Sequence, residues 1–302
     1  MNKGILLVLF TALVSGFSIF LNSYAVKGLD SSVFTFSKNI VVAVLLFAAI
    51  LGFGKLNELR MLSKKQWLQL VAIGFVGGSI PFLLFFRGLQ LTTGTTGSFV
   101  YRTLFIWVAL LAVIFLKEKL SKGLLIGAGL LLAGNFVILQ PKMTYSTGIL
   151  LIAAATLFWA VENIWSKHLL KEVSGTVVAL GRMFFGSIFI FAFLAFTGKA
   201  GTVFSMSWQQ YSWILVTAAF LFLYVLSYYN GLATIDASVA ASILVLGSPI
   251  TTLLDFSLRG TAVSVGTAIG SLLIIGGVVS VLWFGWFASK VKQLFGVADG
   301  RA

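Results

Sequence analysis

The sequence contains no cysteine and one histidine, His168. The first absence excludes disulfides and thiol chemistry. The second argues against a histidine-built metal site or a Ser–His catalytic pair. Charge is also scarce: Asp, Glu, Lys and Arg make up 10% of 302 residues, against about a quarter in a soluble domain. No G-x-x-x-x-G-K-[ST], H-E-x-x-H or G-x-S-x-G motif occurs, which argues against ATP-driven work and against the common hydrolytic centres. Hydrophobic residues, by contrast, reach 59%. A chain this apolar needs lipid as its solvent. Its net charge of +13 is then read as cationic loops at a membrane face rather than as a nucleic-acid footprint.

An α-helix rises 1.5 Å per residue, so about 20 apolar residues cross a hydrocarbon core of about 30 Å. Ten segments qualify, from Gly4–Tyr24 to Val263–Phe287, joined by linkers too short for a soluble domain. The first segment carries Lys3, an apolar run and a "SYA" ending, features shared with signal peptides. The run is long for one, and its counterpart deep in the chain argues for keeping it as a span. With both ends on one side, 13 of the 21 Lys and Arg fall on the terminus face and five on the other. The five include Lys27 and Lys142, and the 13 include Lys290, Lys292 and Arg301. The positive-inside rule therefore predicts cytoplasmic N and C termini, and a multi-pass protein of the cytoplasmic (inner) cell membrane.

The chain repeats itself. At an offset of 143, "GLLIGAGLLLAG" from Gly123 lies over "GTAIGSLLIIGG" from Gly266, and Gly88 falls on Gly231. At 144, "KGILLVLFTALVSG" from Lys3 lies over "TGILLIAAATLFWA" from Thr147, and Lys38 falls on Arg182. Five spans are an odd number, so the second half enters from the opposite face. The expected fold is all-α, with ten transmembrane helices as two inverted five-helix repeats. Residues 1–142 form the first repeat, 143–288 the second, and 289–302 a cytoplasmic tail.

Lys38 and Arg182, with "LFIWVALLAVIFLKEKLSKGLLIGAGLLLAGNFVI" and "LVLGSPITTLLDFSLRGTAVSVGTAIGSLLIIGGVVSVL", resemble a ten-helix transporter of the drug/metabolite transporter superfamily, EamA type. The resemblance runs from Gly4 to Phe287. Glu118 in "LKEKLS" matches the Leu-x-Glu ending of the family's fourth helix. Thr261 stands where the second half would carry an acid, and Lys38 replaces the more usual arginine. The resemblance implies a carrier of small metabolites, often amino acids moved outward. It implies a cavity between the halves, lined mainly by the first, third and fourth helices of each, with the fifth and tenth at the periphery. It also implies that Lys38 and Arg182 steady helix ends or line entrances. Gly123/Gly127 and Gly266/Gly270 have the small-xxx-small spacing that serves either internal packing or a dimer contact.

Ionisable groups within spans are costly and are functional candidates by default. Arg102, beside Tyr101, lies about 12 Å into its span at 1.5 Å per residue. It either meets a carboxylate or phosphate with its planar fork or pairs with Asp255. Asp255 and Arg259, four apart, make a helical ion pair. Glu162 falls at 144 from Ser18, so the first half has no acid there. It shares a helix face with Trp159, Asn163 and Ser166, and either pairs with Arg182 or faces the cavity. Pro81 and Pro249 break the third and ninth spans and serve as cavity walls, hinges or static kinks. Phe85, Phe86, Tyr101, Trp159, Tyr224 and Tyr228 offer aromatic walls, or else face lipid and core.

These residues predict a secondary transporter of small organic metabolites, exporting amino acids or related carboxylates by alternating access. The expected substrate-binding set is Phe86, Tyr101, Arg102, Trp159, Glu162, Asn163 and Tyr228, with Lys38 and Arg182 as gate or scaffold charges. No catalytic residue, metal or cofactor is expected, although Glu162 leaves coupling to a proton gradient open. The expected partners are a small-molecule substrate and the lipid bilayer, not nucleic acid, for a monomer or homodimer. The alternatives are proton-coupled efflux of amphipathic cations, a membrane-embedded enzyme and a channel.

Overall fold

The computed structural model describes residues 2–25, 28–141 and 146–294, with side chains described as far as 284. Lys27, Lys142 and Arg301, used in the charge count, lie outside the described residues, and the side chains of Lys290 and Lys292 lie outside the described side chains. Among the described residues ten helices are long and apolar enough to cross a membrane: α1 (Lys3–Ala25), α2 (Ser31–Gly52), α3 (Lys64–Leu89), α4 (Gly94–Leu116), α5 (Lys122–Leu139), α6 (Thr147–Leu169), α7 (Gly175–Phe196), α8 (Trp208–Leu232), α9 (Ala237–Arg259) and α10 (Val265–Leu294). No strand occurs among the described residues. The spans read from hydropathy match these to within a few residues at most ends. The last helix, however, runs on to Leu294, so the tail expected from 289 begins inside it.

Local chemistry sets the ends. Asp30 caps α2 by accepting the Ser32 and Val33 N–H groups. Ser63 and Ser207, at matched positions before α3 and α8, each form a capping box with a glutamine three residues on, which satisfies amides the helix leaves free.

Three spans are broken. In α3 the helix stops at Gly78, and Ser79 takes φ −133° and ψ −71° before Pro81 restarts it. In α9 the break falls at Val245 and Leu246, because Pro249 cannot donate to the carbonyl of residue 245. The third break, in α4 at Thr103, involves no proline. The Thr103 hydroxyl bonds back to the Val100 carbonyl at 2.7 Å, a competition with the helix ladder that loosens a turn.

The glycine stripes face each other. A Cβ on Gly127 would come within 2.7 Å of the Gly277 carbonyl, and one on Gly134 within 2.6 Å of the Gly270 carbonyl. The stripes therefore pack α5 against α10 within one chain, which answers the choice between internal packing and a dimer contact for these residues. Gly266 stands apart from that close approach.

Candidate functional site

A cavity of about 500 Å³ lies between the two repeats, lined by residues of α1–α4 and α6–α9. Among the described residues neither α5 nor α10 contributes to the lining. All of Phe86, Tyr101, Arg102, Trp159, Glu162, Asn163 and Tyr228 line it, and so do Lys38 and Arg182. The last two were expected at helix ends or entrances. The structure instead puts them in the cavity wall, buried, because α2 and α7 are packed against the site as well as the first, third and fourth helices of each half.

Trp159 is the centre of an aromatic box. Its ring lies 5.2 Å from Phe82, 5.6 Å from Phe85 and 5.2 Å from Tyr101, centroid to centroid, in edge-on or tilted contact. Such geometry adds about 0.5–1.5 kcal/mol per pair beyond burial. Phe86 extends the wall through Phe85 at 5.6 Å. The Trp159 indole Nε1 donates to the Gly77 carbonyl at 3.1 Å, and Arg182 Nη2 donates to the same oxygen at 3.1 Å. That oxygen is available because its helical partner would be the amide of Pro81, which has no hydrogen. The helix break thus ties α3 to α6 and α7.

Glu162, 2% exposed, is enclosed by partners. Its Oε1 accepts the Ser166 and Tyr229 hydroxyls, each at 2.6 Å. Its Oε2 faces Arg182 Nε at 3.8 Å. The side chain thus pairs with Arg182 and lines the cavity at once, so the two sequence-level options are not exclusive. Asn163 accepts the Tyr228 hydroxyl and donates to the Trp159 carbonyl at 2.8 Å. These bonds fix the floor of the cavity.

Arg102 donates to Ser248 Oγ at 2.5 Å and to Asn135 Oδ1 at 3.2 Å. Asp255 instead pairs with Arg259 at 2.9 Å, so the Arg102–Asp255 alternative is replaced by neutral acceptors. Lys38 donates to Asn22 Oδ1 at 3.0 Å and lies 4.9 Å from the Phe34 ring centroid. The lining therefore holds three cations and one carboxylate. Sequence reasoning passed over Ser18, Asn22, Tyr229 and Ser248. The asparagine inside an apolar run was the available signal, since a buried amide needs partners just as an ion does.

The lining residues of α1–α4 lie in the halves nearest the 28–30 turn, and those of α6–α9 in the halves nearest the terminus face, so the cavity occupies the middle of the bundle. On the terminus face, Lys167 Nζ donates to the Leu232 and Ile235 carbonyls at 2.7 and 2.8 Å. Glu118 accepts the Ala237 and Ser238 N–H groups at 2.7 and 3.2 Å and the Ser238 hydroxyl at 2.6 Å. Burial pushes the neighbouring Asp236 carboxyl up, Glu118 adds to this, and Lys167 opposes it. The position matching Glu118 is Thr261, and that matching Ala237 is Gly94. There α4 is capped locally, Thr93 Oγ1 accepting the Thr96 N–H at 3.3 Å. Across the opposite face Arg259 donates to the Tyr24 hydroxyl at 2.6 Å and to Ser23, and Lys199 pairs with Asp30 at 2.6 Å, so contacts between the repeats tie both ends by different residues.

A ten-helix membrane bundle with a polar cavity between duplicated halves has the build of a membrane transporter. The chain belongs to the EamA-like transporter family, whose model matches residues 2–140 and again 146–283. An uncharacterized transporter of Archaeoglobus fulgidus is 28% identical over 92% of this chain and 96% of its own length. The uncharacterized inner membrane transporter YhbE of Escherichia coli K12 is 26% identical over 57% of this chain and 56% of its own length. YyaM of Bacillus subtilis, also an uncharacterized transporter, is 24% identical over 80% of each chain. A solved crystal structure superposes with a TM-score of 0.79 over 94% of this chain and 99% of that one, at 18% identity, which shows the shared fold. The family and these relatives are transporters, not enzymes.

Proposed function

We propose that this protein is a secondary transporter that exports small organic carboxylates, amino acids among them, by alternating access through the cavity between its repeats. One observation carries the reading: the lining holds Lys38, Arg102 and Arg182 but a single carboxylate, Glu162, which is already engaged by Arg182, Tyr229 and Ser166. A buried excess of cations favours an anionic guest, because unpaired charge is expensive away from water. The aromatic box around Trp159 supplies the apolar wall that small-molecule sites use for most of their contact area. Efflux of amphipathic cations would need a free carboxylate, and the engagement of Glu162 speaks against it.

The positive-inside count supports cytoplasmic termini and residence in the cytoplasmic membrane. We infer a resting state open to the outer face, supported by the Lys167 and Glu118 latch at the inner one. Rocking of the halves would exchange the two states. The single chain is taken as the working unit, since its glycine stripes pack against each other.

The test is counterflow in proteoliposomes against aromatic and aliphatic carboxylates, neutral amino acids, nucleosides and quaternary amines, with and without a pH gradient. Saturable exchange of carboxylates is expected. Exchange confined to quaternary amines and driven by the proton gradient would overturn the reading.

A further inference from the structure

The repeat symmetry carries a more specific assignment. At the offset of 144, Ser18, Asn22 and Lys38 of the first half lie over Glu162, Ser166 and Arg182 of the second. Each triplet is linked by side-chain contacts, through Glu162 in the second half and through Asn22 in the first. In the second half Glu162 accepts the Ser166 hydroxyl at 2.6 Å and faces Arg182 at 3.8 Å. In the first half Lys38 donates to Asn22 at 3.0 Å, and Asn22 Nδ2 donates to Ser18 Oγ at 3.4 Å. All six side chains lie buried or half-buried, and Ser18, Asn22 and Lys38 all line the cavity.

One member differs in kind. Where the second half has a carboxylate, the first has the short hydroxyl of Ser18. Among the described residues no carboxylate pairs with Lys38. It meets a neutral amide and the face of Phe34. A buried ammonium keeps a partner of opposite charge or loses free energy. The same scaffold, one repeat away, supplies that partner from the protein.

We propose that Ser18, Asn22 and Lys38 form the carboxylate subsite of the transported molecule, with the guest's carboxylate taking the place that Glu162 fills in the other repeat. It accepts Lys38 Nζ–H and the Ser18 hydroxyl, while the rest of the guest reaches toward the Trp159 box. The assignment rests on the reading of this cavity as the cargo site. No covalent step is involved. The missing acid leaves one half of a duplicated pair to be completed by the cargo, so the position that distinguishes the two halves is the one that recognises charge.

The experiment is isothermal titration of the full chain in nanodiscs with two probes of one shape, phenylacetate and its neutral amide, phenylacetamide. A charge-assisted hydrogen bond to a buried ammonium predicts that the native protein prefers phenylacetate by about tenfold or more. Lys38→Gln and Ser18→Glu should each bring that ratio to about one, the first by removing the cation and the second by filling its partner's place, whereas Lys38→Arg should keep the preference. If Ser18→Glu does not fold, the contrast between Lys38→Gln and Lys38→Arg decides. A preference that survives in Lys38→Gln, or equal binding of both probes by the native protein, overturns the subsite and leaves the cavity as cargo site. Failure of the native protein to bind either probe overturns both.

Discussion

Pro81 has no amide hydrogen to offer the Gly77 carbonyl four residues before it, and that carbonyl receives Trp159 and Arg182 instead, each at 3.1 Å. A gap in one helix ladder becomes the junction of three helices at the cavity wall.

This relationship predicts the effect of Pro81→Ala. An alanine amide would compete for the Gly77 oxygen, straighten α3 and release the two side chains that hold the site. Thermal stability in detergent should fall, because the one hydrogen bond gained, worth about 1 kcal/mol, leaves two buried donors unpaired at about 1–3 kcal/mol each. Counterflow should slow several-fold. Unchanged counterflow in a well-expressed variant would make the break a static kink.

Glu162 and Arg182 form a buried pair, 2% and 11% exposed in their side chains. Losing one partner of such a pair costs about 3–5 kcal/mol, because the other charge is left uncompensated. Glu162→Gln should therefore lower the melting temperature sharply. The double variant Glu162→Gln with Arg182→Met should recover most of the loss, read as a thermal shift on size-exclusion chromatography. Were Glu162→Gln to keep native stability and change the pH dependence of transport instead, the carboxylate would belong to coupling.

Glu118 caps the start of α9 from the end of α4. Glu118→Ala removes that cap, worth about 0.5–2 kcal/mol, and should shift the population toward a state open on the terminus face. A cysteine replacing Tyr228, at the cavity floor, should then react several-fold faster with a thiol reagent applied from that face. An unchanged rate would mean that the Glu118 contact does not hold the face closed.

Asp30, at the turn before α2, pairs with Lys199 at 2.6 Å. Burial would raise its carboxyl, but the Lys199 hydrogen bond and the Ser32 and Val33 amides outweigh burial and hold it below the ordinary 3.8. A depressed folded value means that the contribution is present above the unfolded value and lost as pH falls through the folded one. Asp30→Asn should flatten that acid limb of a stability–pH profile. The effect should stay under about 1 kcal/mol, since both groups are partly exposed.

The ten spans were legible because lipid demands long apolar runs, and the two halves because glycine spacing and the Lys38–Arg182 match survive duplication. Glu162 stood out as an acid in an apolar helix. The Gly77 carbonyl did not, since every residue has one and only tertiary packing shows which is used. The break at Thr103 was hidden too, because threonine is tolerated in helices and its hydroxyl bonds back only in context. Placing Lys38 and Arg182 at the cavity wall required knowing how α2 and α7 rotate about their axes, which their low periodic contrast did not specify. Asn22 was hidden because it carries no charge, although a buried amide makes the same demand for partners as an ion.

Alternating access is tested most directly by a single engineered thiol, for which the cysteine-free chain provides a clean background. Ser98→Cys lines the cavity from α4. In sealed, oriented vesicles a membrane-impermeant thiol reagent should modify it from the face carrying the 28–30 turn, while the Lys167 and Glu118 latch blocks the other face. Glu118→Ala should add reactivity from the terminus face at the expense of the first. Simultaneous full reactivity from both faces in the native protein would contradict the account and make the cavity a pore.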